Sequence, residues 1–278
     1  MPDRLTGRHA VVTGASRGIG AGIAERLAAE GAALTLVART LDTHPTLAGS
    51  LNETAERCRA RGADVTVVVC DLTDGDDRQQ VVPEAVAAHG PVDVLVNNAA
   101  AAIYARIDEY PLKRRRLMTE INVHAPVDLA QAALPSMVER GEGWIVNLSS
   151  ASAGLVDGPP FDLGGVREVY GFYGATKAML NRVTNAMASE LHGTGVRLNT
   201  VEPRAAVLSE GADAVAGAVL RPEQIESLEA MVEATLFLCD CGPDHTGRIE
   251  SSLDLLEREA ITVLDLGGVR PHPGGFRP

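Results

Sequence analysis

Residues 9–20 read His9-Ala-Val-Val-Thr13-Gly-Ala-Ser16-Arg17-Gly18-Ile19-Gly20. A short apolar run, Ala10-Val11-Val12, leads into three glycines, and Ile19, Ile23 and Leu27 follow at four-residue spacing. The order is strand, tight turn, amphipathic helix. Gly14, Gly18 and Gly20 allow the backbone to turn sharply and to come close to an anion, and the positive end of the helix favours a pyrophosphate there. A glycine-rich turn by itself also closes ordinary strand–helix units. Its meaning rests on what surrounds it.

Outward from this turn the same rhythm repeats. Short, nearly continuous runs of Val, Ile, Leu and Ala predict strands at 9–13, 33–38, 65–70, 92–97, 144–149, 196–202 and 261–265. Strands buried on both faces have this composition. Helical patterns fall between them at 19–30, 50–61, 76–89, 111–139, 173–192 and 222–239, with Gly31, Gly62, Gly90, Gly141 and Gly193 just past five of the ends. Pro111 and Pro222 stand at helix starts, where a missing N–H costs nothing. Strict alternation predicts one α/β domain over residues 1–270: a doubly wound, Rossmann-like, seven-stranded parallel sheet covered by helices on both faces. Residues 271–278 read as a tail.

Composition narrows the function classes. The formal net charge of −12 argues against a nucleic-acid or anionic-membrane surface, and the one basic run, Lys113-Arg114-Arg115-Arg116, reads as a solvated helix face. The chain enters its first strand almost at once, and no apolar stretch approaches the ~20 residues that span a bilayer. Cys58, Cys70, Cys239 and Cys241 suggest neither a disulfide framework nor a metal site, since no second Cys/His pair matches Cys239-x-Cys241. The expected compartment is the reducing cytoplasm.

Nucleotide choice is legible at the second strand, Leu34-Thr-Leu-Val-Ala38-Arg39-Thr40. In dinucleotide-binding units an acid near its end holds the ribose diol and selects NAD. Here Ala38 occupies that place, Arg39 follows, and Arg17 lies in the glycine turn. Two guanidinium groups without a competing carboxylate suit a 2′-phosphate, so NADP(H) is expected ahead of NAD(H); as ordinary surface arginines they would carry no such meaning.

Downstream lie Ser149-Ser150 and Tyr173-Gly-Ala-Thr-Lys177. Together with Thr13–Gly20 they resemble the short-chain dehydrogenase/reductase family, well over residues 5 to about 205 and more loosely to the end. The resemblance implies interconversion of a ketone and a secondary alcohol, by a homotetramer or a homodimer. It implies Tyr173 as the proton-transferring residue, Lys177 as the group that lowers its pKa and holds the nicotinamide ribose, and Ser150 as the group on the substrate oxygen, with Ser149 lining the cofactor. Asn122 matches the fourth catalytic position, where the side chain bends its helix and holds a proton-relaying water. Cofactor contacts are implied for Gly14, Ser16, Arg17, Gly18, Ile19, Gly20, Arg39, Asn98, Ala99, Ala100, Tyr173, Lys177 and Pro203. Asp71 is implied to read the adenine amine and Leu72 to pack on the ring. On spacing alone, Tyr173 and Lys177 share a helix face, and a nearby ammonium would favour the phenolate.

Three departures from the family pattern stand out. Ala100 replaces a glycine after Asn97-Asn98-Ala99, and Arg204 replaces the glycine after Pro203. Ser150 and Tyr173 are also farther apart than usual, so Ala151–Phe172 reads as an active-site insertion, expected to wall an apolar pocket. The Ala- and Gly-rich residues 204–220 are expected to form the facing lid. A non-catalytic NADP-binding scaffold on the same fold is the alternative reading. Epimerases and enoyl reductases use other spacings. The substrate itself is not readable from the chain.

Overall fold

The β-branched runs become a sheet because each is flanked on both faces by helices with apolar stripes. The computed structural model describes residues 3–161, 170–207 and 225–274. Within them the elements run β1 (His9–Thr13), α1 (Gly18–Ala29), β2 (Ala33–Ala38), α2 (Leu51–Arg59), β3 (Val65–Val69), α3 (Gly75–Arg78), α4 (Val81–His89), β4 (Val94–Asn97), α5 (Leu112–Thr119), α6 (Ala125–Arg140) and β5 (Gly143–Leu148). Then come α7 (Gly171–Glu190), β6 (Val196–Glu202), β7 (Ala206–Val207), β8 (Ile225–Glu226), α8 (Leu228–Leu238), β9 (Ile249–Ser251) and α9 (Ser252–Arg258).

Seven strands form one parallel sheet in the order β3-β2-β1-β4-β5-β6-β9. Alternate side chains feed two core layers. Ala10, Val12, Leu34 and Leu36 pack with α1, α2 and α8, while Val11, Val37, Leu95 and Ile145 pack with α4, α6 and α7. The strand order reverses between β1 and β4, so the connections leaving their carboxyl ends diverge to opposite faces of the sheet. An open α/β sheet binds ligands in the crevice outside such a switch point. The Thr13–Gly20 turn leaves β1 there, and Asn97-Asn98 leaves β4 beside it.

The seventh strand is not the expected one. It is Ile249–Ser251, paired with β6 through Thr200↔Ile249 and Glu202↔Ser251, whereas 261–265 contributes only an isolated antiparallel bridge, Leu264↔Pro271. An edge strand of three pairs needs no long apolar run, and Ile249 is half exposed. Ile261, Val263 and Leu266 are apolar because they cover the core layer of α1 and α8 from outside.

Two predicted helices are each divided. Pro83 sits in the first turn of α4, where its ring cannot accept continuation from α3. The run over 111–139 widens to a π-turn at Glu120–His124 between α5 and α6. Ser227 caps α8 by accepting from Ala230 N at 3.2 Å, and Pro222 lies outside the described residues.

Candidate active site

The glycine turn is shaped from below. Asn98 donates through Nδ2 to Thr13 O at 2.9 Å and Gly14 O at 3.3 Å, while Thr13 Oγ1 accepts from Asn98 N and Ala99 N at 3.0 and 3.1 Å. The ends of β1 and β4 are thereby stitched together. A β-carbon on Gly14 would strike Ala99 and the Asn98 amide, and one on Gly20 would strike Gly14 O and the same amide. The Asn98 side chain is thus spent on the turn. Ala100 is exposed and, unlike a glycine required by backbone strain, has no positive φ.

The residues present fit a dinucleotide phosphate. No side chain caps the start of α1 and no acid stands in its first turn, which leaves backbone donors and the helix dipole facing the crevice. Gly18 holds φ +55° at that start; Ser16 is buried and Ile19 packs against the core. Arg17 is oriented by Ala48 O at 2.8 Å, Gly49 O at 2.9 Å and Thr40 Oγ1 at 3.4 Å. Arg39, next to Thr40, is 66% exposed, with its guanidinium 4.0 Å from Asp71. Both cations therefore stand at the corner after β2, and Ala38 brings no carboxylate there.

Asp71 commits Oδ1 to Thr73 N at 3.0 Å and Thr73 Oγ1 at 2.8 Å, leaving Oδ2 toward Arg39. Leu72 is buried in the core layer of α4, so it offers little face to a ring. Pro203 follows β6 at the far side of the crevice.

At that side α7 carries Tyr173 and Lys177 one turn apart. Ser150 stands beside the Tyr173 phenol, and its hydroxyl lies 2.9 Å from Ser152 Oγ. Ser149 instead turns inward: its backbone N donates to Val201 O at 2.8 Å and its hydroxyl is buried. Gly174 lets the turn at Ala151–Ala153 rest directly on α7, since a β-carbon there would strike Ser152 O.

Asn122 sits fully buried in the π-turn. Its Oδ1 accepts from Ala101 N at 2.9 Å, and its Nδ2 donates to Ala101 O and Thr176 Oγ1, both at 3.0 Å. Thr176 in turn donates to Tyr173 O at 2.7 Å. Both amide hydrogens of Asn122 are occupied, so its side chain ties α7 to the segment after β4.

Burial sets the electrostatics of the Tyr173 and Lys177 pair. Lys177 donates through Nζ to Leu148 O at 2.6 Å, and burial pulls its pKa down to about 8. Burial pushes the Tyr173 phenol up to about 12, with Tyr104 adding to the rise and Ser150 opposing it. The ammonium is aimed at a strand carbonyl, not at the phenol.

Tyr104 was not singled out by the sequence. Its ring meets Tyr173 edge-on, centroids 5.8 Å apart and planes at 85°. Tyr110 packs on Phe172 at 5.5 Å and closes the same wall. The available signal was an aromatic side chain just beyond the fourth strand in a chain with 3% aromatics. A cavity of about 500 Å³ at the opposite, amino-terminal edge of the sheet, lined by Arg8, His89 and Arg140, shares none of these residues.

The model of the short chain dehydrogenase family matches residues 8–215, and the chain belongs to that family. Hydroxysteroid dehydrogenase-like protein 2 of Danio rerio is 29% identical over 272 residues, which are 97% of this chain and 63% of that protein. The chain thus spans somewhat less than two thirds of that curated relative. A short chain dehydrogenase from Mycobacterium thermoresistibile superposes with a TM-score of 0.79 at 28% identity, covering 96% of this chain and 95% of the other. L-Sorbose reductase from Gluconobacter frateurii, solved with NADPH and L-sorbose, gives 0.76 at 27% identity over 90% and 97%.

Proposed function

We propose that the protein is an NADP(H)-dependent oxidoreductase that interconverts a ketone and a secondary alcohol. The observation that carries this reading is the grouping of Ser150 with Tyr173, one helical turn from the buried Lys177, across the crevice from an uncapped helix start with two arginines. Bound NADPH would supply the hydride. Arg17 and Arg39 would grip the 2′-phosphate, and the first turn of α1 the pyrophosphate. Ser150 donates to the carbonyl oxygen and orients it. Tyr173, protonated at neutral pH, passes its proton to that oxygen as the carbonyl carbon is reduced. Lys177 has donor hydrogens beyond the one given to Leu148 O, and these suit ribose hydroxyls.

Leu155 is 98% exposed, Phe161 66% and Ile107 64%, and Tyr104 stands beside the catalytic phenol. The described part of the insertion, 151–161, supports an apolar substrate. Its residues 162–169 and most of the 204–220 segment lie outside the described residues. Among those described, no helix is long and apolar enough to cross a membrane. A homotetrameric, cytoplasmic enzyme is part of the same proposal.

Tyr173→Phe tests it directly. Ketone reduction is expected to fall roughly 10²–10⁴-fold while NADPH affinity, read by fluorescence titration, stays nearly unchanged. A variant that keeps most of the wild-type rate overturns the assignment, and wild type that binds NADPH but reduces no ketone in a broad panel favours the scaffold alternative.

A further inference from the structure

Behind Pro203 lies a carboxylate that the proposed reaction does not use. Glu226 ends β8 with 1% of its surface exposed. Its Oε2 accepts from Ala205 N at 3.0 Å and its Oε1 from Ser252 Oγ at 2.6 Å. Ser252 Oγ accepts in turn from Arg204 N at 3.2 Å. Two elements remote in sequence, β8 and the start of α9, therefore meet at one short stretch of backbone.

That stretch is where the chain leaves the sheet. The last pair of β6 with β9 is Glu202↔Ser251, Pro203 has no N–H to offer, and the next ladder, Ala206↔Ile225, belongs to a separate two-stranded sheet. Residues 204 and 205 thus carry backbone donors that no main sheet strand receives. β6 lies beside β5, whose end delivers Ser149 and Ser150; Ser149 N bonds Val201 O. The exit after Pro203 consequently borders the reacting side of the crevice. Burying an acid is costly unless its oxygens are satisfied, and here every acceptor bond fixes this exit.

We infer that Glu226 is a positioning residue for the reacting half of the nucleotide site, setting the course of backbone 203–205 through Ala205, Arg204 and Ser252. This rests on the dinucleotide reading above. Glu226→Gln can preserve the clamp, with its oxygen accepting from Ala205 N and its amide donating to Ser252 Oγ. Glu226→Leu cannot. Ser252→Ala removes one arm and leaves Glu226 on Ala205.

The test has two arms. Amide exchange is followed by mass spectrometry on peptides covering 203–207 in the ligand-free protein. Binding is measured separately for NADPH and for adenosine 2′,5′-bisphosphate, which lacks the nicotinamide half. Exchange in Glu226→Leu should quicken about fivefold to tenfold, the scale of one lost buried hydrogen bond, with Glu226→Gln near wild type and Ser252→Ala between them. NADPH affinity should weaken by a similar factor in Glu226→Leu while the bisphosphate binds within about twofold of wild type. Unchanged exchange in both Glu226→Leu and Ser252→Ala overturns the inference, as does equal weakening of the two nucleotides. If Glu226→Leu does not fold, the Ser252→Ala comparison decides. Wild type that binds neither nucleotide refutes the cofactor reading and the cofactor half of the inference; the exchange arm then still accepts or rejects the clamp.

Discussion

Lys177 is a lysine buried with a backbone carbonyl as its partner, and its charge is felt in the stability of the whole domain. Its pKa is about 8 in the folded protein against 10.5 for the free side chain. Between those values the unfolded chain binds more protons than the native one, so this residue makes stability rise with pH across that window. Below pH 8 both states are protonated and the contribution is flat. The unfolding free energy of wild type relative to Lys177→Met should therefore climb by up to ~3 kcal/mol from pH 8 to 10.5. Urea unfolding of both proteins at matched pH isolates the effect, since every other titrating group is common to the pair. Parallel stability curves would show that Lys177 is neutral or solvated. Tyr173 shifts the opposite way, and its proton is retained at neutral pH, which suits donation to a carbonyl oxygen.

At the scale of elements, the glycine turn and the π-turn each join distant parts of the chain. Gly20 lies against Gly14 O and the Asn98 amide, so Gly20→Ala must push β4's end away from β1. Overpacking of this kind costs about 1–3 kcal/mol, and here the displaced groups also form the floor of the phosphate site. Both thermal stability and NADPH affinity should fall. Gly62→Ala is the control: it is strained by its φ of +92° but meets nothing within 4 Å. It should cost stability without touching affinity, and equal affinity loss in both would sink the close-approach account. Asn122→Leu should loosen Ala101 from α7, because three hydrogen bonds in that bridge share one amide.

Across the whole molecule, burial sorts the ionisable groups into paired and inert. Arg26 is buried between Glu30 at 2.5 Å and Glu233 at 2.6 Å, pinning α1 to α8, and Glu25 receives Arg57 and Arg61 from α2 and its C-terminal turn. The thiols are unpaired and buried. Burial pushes Cys58 and Cys70 up to about 12, Cys241 to about 11 and Cys239 upward as well. A thiol-reactive chromogenic disulfide should leave all four cysteines unmodified in the native state and titrate four on full unfolding in urea. Fast release of one or more equivalents from native protein would mean a local opening at that cysteine.

The strand–turn–helix order and the parallel sheet are legible because they rest on local periodicity, and Tyr173 and Lys177 share a face by their spacing within one helix, whereas Ser150 is named only through the family resemblance. The breaks at Gly31 and Gly141 are legible too, because backbone conformation there is set by the residue itself. What the chain did not disclose depends on partners remote in sequence. Ile249–Ser251 becomes a strand because β6 offers it an edge, while the apolar 261–265 covers helices instead. The direction of the Lys177 ammonium was set by the carbonyl at Leu148, and the duty of Asn122 by Ala101 and Thr176. Tyr104 and Glu226 acquire their places only when β4 and β8 are docked beside α7 and β6. Side-chain chemistry and periodicity are written locally; the aim of a polar atom is decided by whichever unsatisfied group the fold brings within hydrogen-bond reach.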